Sequence, residues 1–175
     1  DEIKNTLTTW EDYREGEHLV SRITEIRYEN KGITTIPQSI ADLDSLERLE
    51  LQKNQITTIP SYVGNLSRLK YFHIFENNIT TLPPKIGLLT NLEVFKIYEN
   101  NLEEIHPHIG GLTKLITLWL SENQLSSLPD SMCNILTNPG IDINIDNNKI
   151  CNNNYHECFN NLVDYSEGQE GQGCP

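Results

Sequence analysis

A chain of 175 residues with 37% hydrophobic content is long enough for one domain with a continuous core, and no apolar run reaches the ~20 residues that span a bilayer. Its formal net charge of −12 excludes the basic surface that nucleic acid or anionic lipid demands, so a cationic or neutral partner is expected. It opens at Asp1 with no apolar, basic-flanked leader, so a signal peptide either has been removed or never existed.

Residues 1–19 stand apart from the rest of the chain. Ile3, Leu7 and Trp10 are spaced i, i+4, i+7, which predicts one apolar stripe on a short helix. With Tyr13 nearby, Trp10 reads as a lid over the first end of the core.

From Val20 the chain repeats itself. Val20, Leu43, Leu66, Leu89 and Leu112 open five segments with a step of 23 residues, and a fixed period of this size predicts a stack of similar coils. Numbering each coil from 1 to 23, position 7 holds Ile26, Leu49, Phe72, Phe95 and Leu118, and position 9 holds Tyr28, Leu51, Ile74, Ile97 and Leu120. Both alternate with polar residues, so positions 6–10 predict a short strand, and stacking predicts a parallel sheet. Positions 4, 14, 17 and 21 supply further core. Position 12 is Asn54, Asn77, Asn100 and Asn123, but Lys31 in the first coil. There the chain leaves the strand, and a buried amide can bond the turns above and below. Position 18 is proline except at His106, where Pro107 follows; proline keeps this outer side extended. His106 and His108 lack a third metal ligand.

Residues 66–86, which read L-x-x-L-x-x-F-x-I-x-x-N-x-I-x-x-L-P-x-x-I, resemble the leucine-rich repeat family in its 23-residue form, and the likeness covers about residues 20–151. The resemblance implies an α/β-type repeat solenoid. Its horseshoe would carry a parallel β-sheet on the concave face and irregular or 3-10 structure on the convex side, between a helical N-cap and a disulfide C-cap. It implies a binding scaffold, not an enzyme. On this reading residues 1–175 form one domain: an N-terminal cap at 1–19, five repeats with a short insertion at 20–136, a sixth partial repeat at 137–150 and a Cys-containing cap at 151–175.

After Met132 the register shifts. Ile143, Ile145, Asn148 and Ile150 match positions 7, 9, 12 and 14 two residues late, and the turn residues Asn138-Pro139-Gly140 would absorb the difference. All four cysteines lie in the last 43 residues, which predicts a stapled cap in an oxidising compartment; the spacings contain no C-x-x-C zinc hook. Cys133 and Cys158 both occupy position 22 of adjacent coils, so the expected pairing is Cys133–Cys158, leaving Cys151–Cys174. This end resembles the caps of secreted bacterial leucine-rich repeat proteins, and the setting expected is extracellular, secreted or on the cell surface. Asn65-Leu-Ser67 and Asn78-Ile-Thr80 fit the N-glycosylation pattern.

Strand residues turned away from the core define the candidate site. Coils one and two place charged and polar residues there, whereas coils three to five gather Tyr71, His73, Phe75, Lys96, Tyr98 and Trp119. Aromatics on a water-facing sheet point to binding; the alternative is cross-strand packing for its own sake. Beside them position 11 runs Glu76, Glu99, Glu122, a like-charged column that would attract a basic group or form a solvated rim. Asp142, Asn144 and Asp146 alternate along the last strand like the start of a calcium loop, although its Gly and final Glu are missing. No cofactor is otherwise expected, and no catalytic motif occurs. The function expected is a non-catalytic extracellular module binding a protein or glycan through its concave face. The rival is a self-associating, calcium-assisted component of a cell-surface assembly.

Overall fold

The computed structural model describes residues 23–150 and 157–159. Six three-residue strands, β1 (Glu25–Arg27), β2 (Arg48–Glu50), β3 (Tyr71–His73), β4 (Val94–Lys96), β5 (Thr117–Trp119) and β6 (Asp142–Asn144), form one parallel sheet in chain order. Equivalent positions pair throughout, as in Tyr71 with Val94 and His73 with Lys96. The last pairing, Thr117 with Asp142, carries the two-residue shift. A short helix α1 (Cys133–Leu136) and a turn through Gly140 at φ +75° take up the extra residues.

The strands stop at position 8, two residues short of the expectation. Their ladder continues as single amides, with Ile74 N–H donating to the Lys96 carbonyl at 2.9 Å and Glu76 N–H to the Tyr98 carbonyl at 3.1 Å. The reason lies at position 11, which is left-handed in all six coils: Asn30, Lys53, Glu76, Glu99, Glu122 and Asn147 have φ between 52° and 59°. Turning the chain there ends the regular pleat.

The other side of each coil is a 3-10 turn, at Gln38–Asp42, Ser61–Asn65, Pro84–Leu88, Pro107–Gly111 and Asp130–Met132. Pro37, Pro60, Pro83 and Pro129 precede four of them in extended conformation. His106 replaces proline by a cap, its Nδ1 accepting from the His108 N–H at 3.2 Å. Gly64, Gly87 and Gly110, all at position 22, let these turns sit against the next coil: a Cβ on any of them would collide with the carbonyl oxygen of Lys85, His108 or Ser131. In the next two coils Cys133 and Cys158 take the same column and are disulfide-bonded, with Cα atoms 5.7 Å apart.

Between the two sides runs one core. Columns 1, 4, 7, 14, 17 and 21 are buried from coil two through coil five, and Phe72 stacks on Phe95 at 5.3 Å within it. The expected helical N-cap, the Cys151–Cys174 pair and the outer part of the C-terminal cap lie outside the described residues. Among the described residues no helix is long and apolar enough to cross a membrane.

Candidate functional site

Because side chains alternate along a strand, positions 6, 8 and 10 all face the concave side, and stacking aligns each position into a row across coils. The sheet register brings the predicted residues together. His73, Phe75, Tyr98 and Trp119 form a continuous band of rings. Phe75 stacks on Tyr98 at 4.4 Å with planes 10° apart, and Tyr98 meets Trp119 at 6.0 Å in a tilted arrangement. On the water-facing sheet where the sequence placed them, the rings are half-buried, since each shields its neighbours.

Two rings are already engaged by the protein. Lys96 Nζ lies 3.8 Å from the centre of Trp119, and the Arg48 guanidinium lies 3.9 Å from that of Tyr71. The Trp119 indole N–H donates to Asp142 Oδ2 at 2.8 Å. The sequence reading did not foresee these contacts, though Lys96 and Trp119 share row 8 in adjacent coils, a signal that was present. Tyr71 thus belongs with the polar half of the face, beside a network in which Arg27 and Arg48 bridge Glu25 and Glu50. His73 Nδ1 sits 3.7 Å from Glu50 Oε1. Burial holds its imidazole below the ordinary value, against the pull of Glu50 and assisted by Lys96, Arg48 and Arg27, so His73 adds no charge at neutral pH.

The Glu76, Glu99 and Glu122 column sits directly after the ring row in sequence, at the left-handed position. Asparagine visits that conformation readily and glutamate does not, so three successive glutamates are both like-charged and conformationally unfavoured. Partial desolvation, then the charges of Glu76 and Glu122, push the Glu99 carboxyl up, with Lys53 opposing. A carboxyl whose folded pKa lies above its unfolded one costs stability when ionised, and the cost fades as pH falls through the folded pKa. Glu99→Gln will therefore melt above the unsubstituted protein at about pH 7, and the gap will close below about pH 4. Thermal melts across that range check this; a gap that does not change with pH would show that neither burial nor the neighbouring charges penalise the ionised Glu99.

The calcium candidates are spoken for in part. Asp142 accepts from Trp119, and Asn144 Oδ1 accepts from the Asp146 N–H at 3.0 Å. Among the described residues no group of three or more His, Cys, Asp or Glu is placed to hold a metal. Gln52, which the sequence did not single out, stands in row 10 between Glu29 and Phe75. It is more than nine-tenths buried, and its Nε2 donates to Glu29 while Oε1 has no hydrogen-bond partner among the described residues.

Comparison with known proteins bears on this geometry. A family model described as Leucine-rich repeat region matches residues 61–138, and a second, Leucine Rich Repeat, matches residues 45–66. A search of curated proteins found no match in sequence. Of the solved structures, a leucine-rich repeat protein of Leptospira interrogans is similar in fold, with TM-score 0.60 and 24% identity over 75% of this chain and 38% of that one. The leucine-rich repeat ectodomain of the plant membrane receptor kinase GASSHO1/SCHENGEN3 from Arabidopsis thaliana, solved with Casparian strip integrity factor 2, has TM-score 0.62 and 30% identity over 70% of this chain and 15% of that one. The plant peptide hormone receptor RGFR1 in complex with RGF2 has TM-score 0.55 and 29% identity over 69% and 24%. The chain thus spans well under half the length of each of these three relatives.

Proposed function

Because the chain belongs to the leucine-rich repeat family, we propose that it is a non-catalytic recognition module whose concave face, across coils three to five, takes a segment of a partner protein. The observation that carries this reading is the continuous band of rings from His73 through Phe75 and Tyr98 to Trp119 on the concave sheet. Rings contribute large contact area with little side-chain entropy to lose, and such residues dominate interface energies. A protein segment suits the face better than a glycan. One face of Trp119 is covered by Lys96 and its N–H is used by Asp142, so the ring best suited to stacking on a sugar is already engaged. Two of the similar structures, at 30% and 29% identity, were solved with a bound factor or hormone, which supports the same choice. The Cys133–Cys158 disulfide supports an extracellular setting. A shallow open sheet offers neither the water exclusion nor the supporting shell that catalysis needs. The reading requires no cofactor.

Peptides selected from an unbiased displayed library against the intact protein test it. A Tyr98→Ala, Trp119→Ala double variant, folded by its melting curve, should bind the selected peptides weaker by about 2 kcal/mol or more. Changing the convex residues Lys85 or Lys114 should leave affinity intact. Full affinity in the double variant would move the site off this face.

A further inference from the structure

Resting on that concave-face reading, we infer that the partner segment is basic: an extended stretch of protein whose lysine or arginine side chains lie over the Phe75–Tyr98 stack and set their charge against Glu76, Glu99 and Glu122. Lys53, next in the same column, acts on Glu76 and Glu99 through its charge but pairs with Glu29, and among the described residues no cation of the face forms an ion pair with these carboxylates. Arg27 and Arg48 hold Glu25 and Glu50, Lys53 holds Glu29, Lys70 holds Glu47, and Lys96 covers Trp119. Among the described residues none of Glu76, Glu99 and Glu122 makes an ion pair, while the polar half of the same sheet is densely paired.

Each of the first two carboxylates is coupled to a ring. Phe75 directly precedes Glu76, Tyr98 directly precedes Glu99, and the two rings are stacked, so one apolar surface is edged by two charges. The Tyr98 phenol is pushed up by burial and then by Glu76 and Glu99, which places it within the field of both. A ring surface edged by carboxylates matches a long alkyl stem with a terminal cation: the stem covers the ring, and the charge meets the acid. An acidic segment would be repelled, and a neutral one would desolvate three carboxylates without compensation.

Short synthetic peptides of roughly ten residues, alternating Ser with Lys, Glu or Thr, are the probes, titrated into the intact protein at about 50 mM salt. Two triple variants of equal net charge separate site from bulk charge. Glu76→Gln, Glu99→Gln, Glu122→Gln strips the column; Asp42→Asn, Glu103→Gln, Glu104→Gln strips exposed acids off the concave face. The Lys–Ser peptide should bind the unsubstituted protein, lose at least about tenfold on the column triple and on Tyr98→Ala, and keep its affinity on the off-face triple. Equal loss on both triples, or no binding of the Lys–Ser peptide at all, overturns the inference. Equal or tighter binding of the Thr–Ser or Glu–Ser peptide, lost in Tyr98→Ala, overturns the basic partner while sustaining the concave face. Library-selected peptides indifferent to the Tyr98→Ala, Trp119→Ala change overturn both.

Discussion

Asn100→Ala will lower the unfolding free energy by about 3 kcal/mol, the upper end of what orphaned buried polar groups cost. The side chain is only 6% exposed and is fully used. Its Oδ1 accepts from the Ile79 N–H of the preceding coil at 2.9 Å, while Nδ2 donates to Ile74 at 3.1 Å, to Ile97 at 3.1 Å and to Tyr98 at 3.2 Å. Alanine leaves a buried N–H and two buried carbonyls without this partner, on both sides of a coil boundary. Asn54, Asn77, Asn123 and Asn148 repeat the pattern, each reaching back one coil. That direction explains Lys31. The first turn is already served by Asn54, whose Oδ1 accepts from the N–H groups of Lys31 and Ile33. Lys31→Asn should therefore change stability by less than about 0.5 kcal/mol. Urea denaturation compares the two; an Asn100→Ala variant as stable as the unsubstituted chain would show that the ladder is not what joins the coils.

What the sequence made legible is what the period dictates. A column that is apolar in every coil must face one core, an asparagine repeated at the strand exit must serve backbone, and two cysteines at the same position in adjacent coils must lie within bonding reach. Each follows from translation by one coil, and each is found. The aromatic row was readable for the same reason. What was not readable depends on torsion and on side chains that choose among neighbours. Nothing in Glu76, Glu99 or Glu122 announces a left-handed backbone, because glutamate is not a residue that conformation selects. The strands accordingly end two residues before alternation alone predicted. Nor does alternation say that Trp119 will share its N–H with Asp142 and its face with Lys96. Those choices decide which rings are left for a partner, and they fall on the idiosyncratic residues of a common scaffold.

Gly87→Ala, on the side opposite the site, is expected to cost about 3 kcal/mol and to weaken binding at the concave face as well. The added methyl would run into the His108 carbonyl, which is backbone and has no side-chain torsion by which to escape. The penalty is steric, unlike that at Gly32, where φ is +68° but the space around a Cβ is open, so Gly32→Ala should cost only about 1–2 kcal/mol of backbone strain. Relief at Gly87 requires coils three and four to separate on their convex side, between the turns at Pro84–Leu88 and Pro107–Gly111. The same two coils carry Phe75 and Tyr98, stacked at 4.4 Å, together with Glu76 and Glu99. A hinge opened at one side of a solenoid tilts the strands at the other, and the ring contact is where that tilt is read. Gly110→Ala moves the next boundary instead and should act on the Tyr98–Trp119 contact. Melting curves paired with titration of a library-selected, Tyr98-dependent peptide separate the effects. Gly87→Ala should lose both stability and affinity, and Gly32→Ala stability alone. An unchanged melting temperature in Gly87→Ala would mean that the convex turns have slack, and that the glycine column does not set the spacing of the binding face.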